Sequence, residues 1–143
     1  MNIQLISTKA VAIDLSPLED ILEGDMENET NFSFDFNPVF DDNLEFANKF
    51  LVAYFGEMRS YKEQFECKVV YIAEFEVDET ITSDFLKGNF ALINAPAIGY
   101  PYFRAFYSNF LLNAGYEPKI LPTINFVQLR DDKLKEMDKH PEA

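Results

Sequence analysis

Side chains that could act as a general base, a nucleophile or a metal ligand are few in this sequence. The only histidine, His140, precedes a proline in a charged C-terminal segment, a poor position for a preorganised base. The only cysteine, Cys67, lies within an alternating apolar pattern typical of a core residue. A small-molecule-binding or enzymatic domain would require a closed, ligand-sized cavity near Cys67. Neither a glycine-rich phosphate loop nor a calcium-loop motif is present. We therefore expect no enzymatic activity, no cofactor and no metal.

The aromatic side chains have the most distinctive spacing. The chain has 15 Phe and 7 Tyr, and one segment rich in both lies between Pro96 and Pro118. So many rings either fill a core or form an apolar surface, and about half are expected to pack in the core or in an oligomer interface. The remainder would form an exposed groove for extended polypeptide segments. The candidates for this contact are Tyr71, Phe75, Tyr100, Tyr102, Phe103, Phe106, Tyr107 and Phe110.

The charge of the chain excludes some partners. A net charge of −13 argues against nucleic acids and anionic membrane surfaces, which require clustered Lys and Arg. Between Ala10 and Asn48 there are many carboxylates and no Lys or Arg, which predicts either a solvated surface or a docking site for a cationic partner. A single cysteine, no signal peptide and no membrane-spanning apolar segment together predict a cytoplasmic protein.

Period-two alternation predicts strands over residues 3–15, 31–37, 44–58 and 65–77. In the first strand, Val11 shares its parity with apolar residues such as Leu5 and Ile13, so all are assigned to one buried face. In the last strand, Val70 and Ile72 interrupt the polar side, which indicates that this side is also partly covered. A turn is predicted at residues 56–60, and the short links favour an antiparallel meander.

The period changes to a helical one after Thr80. Ser83 is a candidate N-cap for a helix over residues 84–95. From Pro101, apolar residues repeat every three and four positions, which predicts an amphipathic helix with Pro101 in its first turn or at a kink. Gly115 is expected to end this helix. Strands followed by helices predict one α+β domain over residues 1–129, with a charged tail over residues 130–143.

The segment from Pro96 to Phe126 resembles the signature region of the SecB family of export chaperones. In that region an aromatic-Pro-Tyr-x-Arg step opens a long helix, and a glycine, a proline and a closing Asn-Phe pair follow it. The matching positions are Pro96, Tyr100, Pro101, Tyr102, Arg104, Gly115, Pro118, Leu121, Pro122, Asn125 and Phe126. Residues 8–14 and 65–77 are similar to the first and last strands of the family.

The resemblance implies a four-stranded antiparallel sheet with helices packed on one face, in a homotetramer built as a dimer of dimers. It implies a cytoplasmic holdase that binds unfolded or precursor polypeptides in aromatic grooves and passes them to the motor SecA. The resemblance implies neither a cofactor nor a reaction. SecB-like proteins also act as chaperones dedicated to antitoxins, so the alternative is a dedicated interaction module on the same fold, not coupled to SecA.

The chain departs from the family at the surface that docks SecA. That surface carries acidic residues in the first and last strands, and the corresponding positions here are Ala10, Asp14 and Lys68. Only Asp14 keeps the charge, which makes it the one candidate for partner docking. The Arg-Gly pair that follows the long helix in the family is replaced by Ala114 and Gly115. Hand-over to SecA is therefore less strongly implied than client binding.

Overall fold

The computed structural model of the chain describes residues 2–18, 30–40, 48–82 and 84–139. Within these ranges, four strands come first and two α-helices follow, which confirms the predicted α+β class. A short 3-10 turn (Phe85–Lys87) and a π-helical turn (Phe90–Asn94) lead into the first helix. The elements are β1 (Ile3–Pro17), β2 (Thr30–Val39), β3 (Lys49–Ser60), β4 (Phe65–Val77), α1 (Ala95–Asn113) and α2 (Phe126–Lys139).

The four strands form one antiparallel sheet in the order β1-β4-β3-β2. Strands β2, β3 and β4 form the predicted meander, but β1 pairs with β4 rather than with β2. The two strands that come first in the sequence therefore lie at opposite edges of the sheet. Strand β4, which has the clearest alternation, is central and pairs on both sides, as expected for its nearly continuous apolar face.

Strand β1 does not keep a single parity, because it contains two register shifts against β4. After the first shift, Thr8 and Ala10 occupy the positions opposite Ala73 and Tyr71. The second shift returns the odd-numbered residues to the helix-covered face of the sheet. Val11 lies in this second bulge and is 49% exposed, and Ile13 is 44% exposed, so the assignment of these two residues to a buried face was wrong.

Gly56 lies inside β3, and the turn predicted at residues 56–60 is instead formed by residues 61–64. The glycine serves a close approach rather than a turn. A Cβ atom at Gly56 would lie 2.6 Å from the ring of Phe103 and 3.0 Å from that of Tyr107. On the helix side, a Cβ atom at Gly99 would overlap the hydroxyl of Tyr54. The two glycines thus allow α1 to pack directly onto the centre of the sheet.

The core lies between α1 and one face of the sheet. The Tyr54 hydroxyl donates to the carbonyl of Pro96 at 2.9 Å, and the Tyr107 hydroxyl donates to the carbonyl of Cys67 at 2.6 Å. Burial raises the pKa of both tyrosines well above the ordinary value, so the hydroxyls remain donors. Buried hydroxyls that have carbonyl partners cost little to enclose, which is why a core this rich in tyrosine is tolerated.

Helix α1 begins at Ala95, continuous with the π-helical turn, so Pro101 lies inside the helix and not in its first turn. Pro101 is exposed and removes one helical hydrogen bond, while Phe103 and Tyr107 hold the helix on the sheet. Gly115 ends α1 as predicted. It has φ of 103°, and the amide of Tyr116 donates to the carbonyl of Leu111 at 3.0 Å, as in a Schellman motif.

Helix α2 begins with a side-chain cap, in which the amide of Gln128 donates to the Asn125 side-chain oxygen at 3.1 Å. The helix ends at Lys139, so it includes residues 130–139 of the charged C-terminal segment. Ser83 and His140, for which the sequence also carried expectations, lie outside the described residues.

Candidate functional site

Five of the eight aromatic candidates lie in the core. On α1, the positions Tyr100, Phe103 and Tyr107 recur at helical spacing on the side that faces the sheet, and they are 6%, 0% and 0% exposed. Tyr71 and Phe75 lie on the facing side of β4 and are also buried. In this state, these five rings present almost no surface to another polypeptide.

The other three rings of α1 remain accessible to different degrees. Tyr102 is 51% exposed on the side of the helix opposite the sheet, and Ile98 and Leu112 share that side, at 40% and 49% exposure. We call these three residues the α1 outer row. Phe106 and Phe110 are half-buried on the flank of the helix and stack on each other with ring centroids 6.0 Å apart.

A groove lies between the edge strand β2 and helix α2, and we call it the β2–α2 groove. Its volume is about 480 Å³, and it has an apolar floor with charged residues along its rim. The lining residues are Phe34, Asp35, Leu129, Asp132, Lys133, Lys135 and Glu136.

Phe34 connects this groove to the core. Its ring centroid lies 5.3 Å from that of Tyr100, 5.9 Å from that of Phe103 and 6.1 Å from that of Phe126. The ring is nevertheless only half-buried, because, among the described strands, β2 has a neighbour on one side only. An edge strand also offers unpaired backbone groups beside the ring. An extended segment could therefore find both an aromatic contact and a pairing edge at this position.

Lys133 joins α2 to β2 at the groove. Its ammonium group lies 2.9 Å from the carboxylate of Asp35, 2.9 Å from the side-chain oxygen of Asn37 and 4.8 Å from the ring centroid of Phe36. The Lys133 side chain is 12% exposed, whereas that of Asp35 is 65% exposed. The ion pair is therefore open to solvent on one side and holds α2 only moderately, since exposed pairs are worth about 1 kcal/mol or less.

The segment that links the two helices fixes where α2 starts. The Tyr100 hydroxyl donates to the carbonyl of Pro122 at 2.6 Å, and burial raises the pKa of Tyr100 to about 12. The Lys119 ammonium group donates to the carboxylate of Glu63 at 2.5 Å, and this hydrogen bond holds the pKa of Glu63 below its ordinary value. The link is thus tied to both α1 and the turn between β3 and β4.

A family model described as preprotein translocase subunit SecB matches residues 1–137. This chain belongs to the SecB family. Chaperones of this family are not enzymes, in agreement with the scarcity of catalytic residue types in the sequence.

Two solved structures are similar to this chain to different degrees. The SecB-like chaperone Rv1957 of Mycobacterium tuberculosis, solved in complex with a ChAD peptide from the antitoxin Rv1956 HigA1, has 14% sequence identity and a TM-score of 0.62. The match covers 86% of this chain and 91% of that chain. A protein of unknown function from Streptococcus agalactiae has 13% identity and a TM-score of 0.41, over 87% of this chain and 98% of that chain. The comparison with curated proteins gave no match.

The SecB-family expectations for the docking surface can be placed on the sheet. Asp14 is exposed on the sheet face that points away from the helices, where its partner in register is Lys68. Ala10 lies opposite Tyr71, on the helix-covered side. The structure therefore brings two of the three positions together, with opposite charges. The role of Asp14 in docking remains a prediction.

Two further findings concern other classes of site. Among the residues that the structure describes, no three His, Cys, Asp or Glu side chains come together as a possible metal site. No helix in the described ranges has the length and apolar character needed to cross a membrane.

The sequence reasoning missed the groove residues Phe34, Leu129 and Lys133. A signal was present for the first of these, because Phe32, Phe34 and Phe36 alternate along one face of a predicted strand. What the pattern could not indicate is that this strand lies at an edge of the sheet, where a ring on the covered face stays partly open. Strand order depends on pairing between distant segments, which period-two alternation does not encode.

Proposed function

We propose that this SecB-family chaperone acts as a holdase that binds extended apolar segments of unfolded or precursor polypeptides in the β2–α2 groove. The observation that carries the proposal is the half-open ring of Phe34 on β2, an edge strand of the sheet that the described residues form. Burial of one client side chain is worth roughly 1.5–3 kcal/mol, and pairing along β2 adds affinity that does not depend on client sequence. Tyr102, Phe106 and Phe110 are proposed as further contacts.

The rim of the groove supports a broad choice of clients. Lys133 and Lys135 lie among Asp35, Asp132 and Glu136, so neither sign of charge dominates. A mixed rim repels neither acidic nor basic client segments strongly. Apolar side chains in the client, rather than charges, would therefore select the segment that binds, which is the behaviour expected of a promiscuous binder.

Assembly is proposed as part of this function. The α1 outer row exposes three large apolar side chains, and β1 is an open sheet edge that carries the exposed residues Ile6 and Val11. Both features suit contacts with further copies, and we propose a homotetramer arranged as a dimer of dimers. Light scattering should give a mass of about four chains, and Leu112→Glu should lower it. A monomer at all concentrations would contradict the assembly.

A dedicated chaperone that serves a single partner, such as an antitoxin, is the second candidate. It is supported by the fold shared with the chaperone Rv1957, whose structure contains an antitoxin peptide. The two candidates differ in breadth. Suppression of aggregation should be measured with several unrelated, reduced and unfolded proteins. Protection of all of them supports the holdase, protection of one alone supports the dedicated module, and protection of none contradicts both.

Coupling to export is the least supported part of the proposal. We propose that the protein acts in the cytoplasm and that Asp14, the one family docking position that keeps a negative charge, contacts a motor such as SecA. Because Lys68 is its partner in register, the local charge is nearly neutral. Direct titration with SecA tests the idea. Binding that Asp14→Asn weakens would support coupling, whereas no binding by the wild-type protein would remove export from the function.

A further inference from the structure

The sheet face that points away from the helices, called here the outer sheet face, has an apolar centre. Phe55 pairs in register with Val70, and Ala53 pairs with Ile72. Phe55 is 38% exposed, and Val70 and Ile72 are half-buried, although α1 and α2 pack against the other face. A shallow cavity of about 330 Å³ lies over Phe55 and Val70.

Charged pairs lie beyond this centre on the same two strands. Glu57 is in register with Lys68, and Arg59 with Glu66. The side chains of Glu57 and Lys68 are 40% and 55% exposed. Among the described residues, Glu57 forms an ion pair with Arg59, and Lys68 forms one with Glu66. Beyond the opposite end of the apolar centre, Lys49 and Glu76 form a further oppositely charged pair in register.

This pattern is self-complementary about an axis that runs along the sheet, midway between β3 and β4. A two-fold rotation about such an axis, placed just above the face, generates a second copy whose outer sheet face lies against the first. Each β3 residue of one copy then lies opposite a β4 residue of the other copy. That β4 residue is the one with which the β3 residue is paired in register within its own sheet. Phe55 then faces Val70 of the other copy, and Glu57 faces its Lys68. Arg59 faces Glu66 in the same way. A contact of this kind is isologous, so every favourable pair occurs twice.

We propose that the outer sheet face binds the same face of a second copy of this chain, through Phe55 and Val70 at the centre and the pairs of Glu57 with Lys68 and Arg59 with Glu66 beside them. The centre of the contact is separate from the floor of the proposed client groove, since it lies on the opposite face of the sheet, although Phe34 and Asp35 on the edge strand β2 line both the groove and the cavity over Phe55. It is also distinct from assembly through the α1 outer row.

The available area predicts a weak contact. Four strands spaced about 4.8 Å apart, over about ten residues each, cover roughly 650 Å². Stable interfaces bury about 800 Å² per partner, so the contact is expected to be reversible and to form at high protein concentration. One register pair does not fit, because Leu51 would face the carboxylate of Glu74. Glu74 is therefore the position at which the contact can be improved.

A charge-swap experiment tests the proposal. In Glu57→Lys, position 57 would face Lys68 with like charge, and in Lys68→Glu, Glu57 would face a second carboxylate. The dimer of each variant alone should have a dissociation constant about tenfold higher than that of the wild type, since each symmetric dimer contains the altered pair twice. In an equimolar mixture the charges are complementary again, and association should return to within about threefold of the wild-type value.

Sedimentation velocity in the Leu112→Glu background removes assembly through α1, and any association through the β1 edge contributes equally to every variant compared. The unfolding midpoint of each variant serves as the folding control, and a repulsion within one chain cannot be repaired by mixing. Recovery in the mixture, and several-fold stronger association of Glu74→Leu, would support the proposal. No association of the wild-type face at high concentration, or no recovery on mixing, would overturn it.

Discussion

Phe34 and Phe55 lie on adjacent strands, yet their rings are on opposite faces of the same sheet. On the helix-covered face, Phe34 contacts a continuous network of rings from β3, α1 and α2. On the outer sheet face, Phe55 lies among Val70, Asp35 and Glu57, and both described α-helices pack against the other face. Two phenylalanines close in space are thus accessible for different reasons. One lies at the open edge of a core, and the other lies on an uncovered face.

The comparison shows that exposure alone does not define a client site. The helix-covered face offers a concave groove of about 480 Å³ with an unpaired strand edge beside it, which suits an extended segment. The outer sheet face is built from paired strands and offers side chains only, so it suits another surface of similar shape. We therefore assign client binding to the first face and self-association to the second.

The largest difference between the faces should appear in stability. Phe75→Ala removes a fully buried ring that stacks on Phe50 with centroids 5.5 Å apart, and it should lower the free energy of unfolding by about 3–5 kcal/mol. Phe55→Ala, on the outer sheet face, should cost about 1 kcal/mol. Urea denaturation of both variants checks this. Equal losses would mean that the outer face is part of the core.

A smaller effect is expected in alkaline solution, and it arises from the helix-covered face alone. Burial raises the pKa of Tyr100 to about 12, and it also raises those of Tyr54 and Tyr107. An unfolded chain loses these protons near pH 10, while the folded chain retains them. Stability should therefore be constant below pH 10 and fall as the pH rises towards 12.

Unfolding midpoints and tyrosinate absorbance, both measured from pH 8 to 12, test this dependence. Tyr100→Phe removes one of the three groups and should make the decline less steep. Titration of all seven tyrosines near pH 10 in the folded protein would show that the hydroxyls assigned to the core are open to solvent.

The smallest effect concerns the contact between Lys133 and Asp35 at the groove. Lys133→Met keeps the apolar stem over Phe36 and removes the ion pair, which should weaken the attachment of α2 to β2 by less than about 1 kcal/mol. Hydrogen exchange of the α2 amides should become roughly two- to fivefold faster. Lys135→Met is the matched control and should change nothing. Equal exchange in the two variants would mean that Lys133 does not hold the helix.

Local sequence patterns predicted the strands and the long helix but not which strands pair with each other. The four strands, the long helix and its glycine end follow from alternation, helical spacing and the φ that Gly115 requires. The pairing of β1 with β4 and the two bulges in β1 did not follow, because they depend on contacts with another strand. The start of α1 was missed for a similar reason, since Pro101 is tolerated only because the surrounding helix is packed onto the sheet.

The sequence predicted that aromatic side chains form the candidate site, but not which of them are accessible. Helical spacing indicated that the rings of α1 divide between inside and outside, but not which of the neighbours Tyr102 and Phe103 would be exposed. That division is set by the position of the sheet, which Gly56 and Gly99 determine through close contact. Phe34 was missed because its accessibility arises from the end of the sheet rather than from its own sequence pattern.

The most direct test of the account compares client binding by Phe34→Ala and Phe55→Ala. A labelled, unfolded polypeptide would be titrated with each variant at low protein concentration and followed by fluorescence anisotropy. Loss of one aromatic contact predicts binding about tenfold weaker for Phe34→Ala, and binding within about twofold of wild type for Phe55→Ala. Equal weakening of both variants, or weakening of Phe55→Ala alone, would contradict the assignment of client binding to the β2–α2 groove.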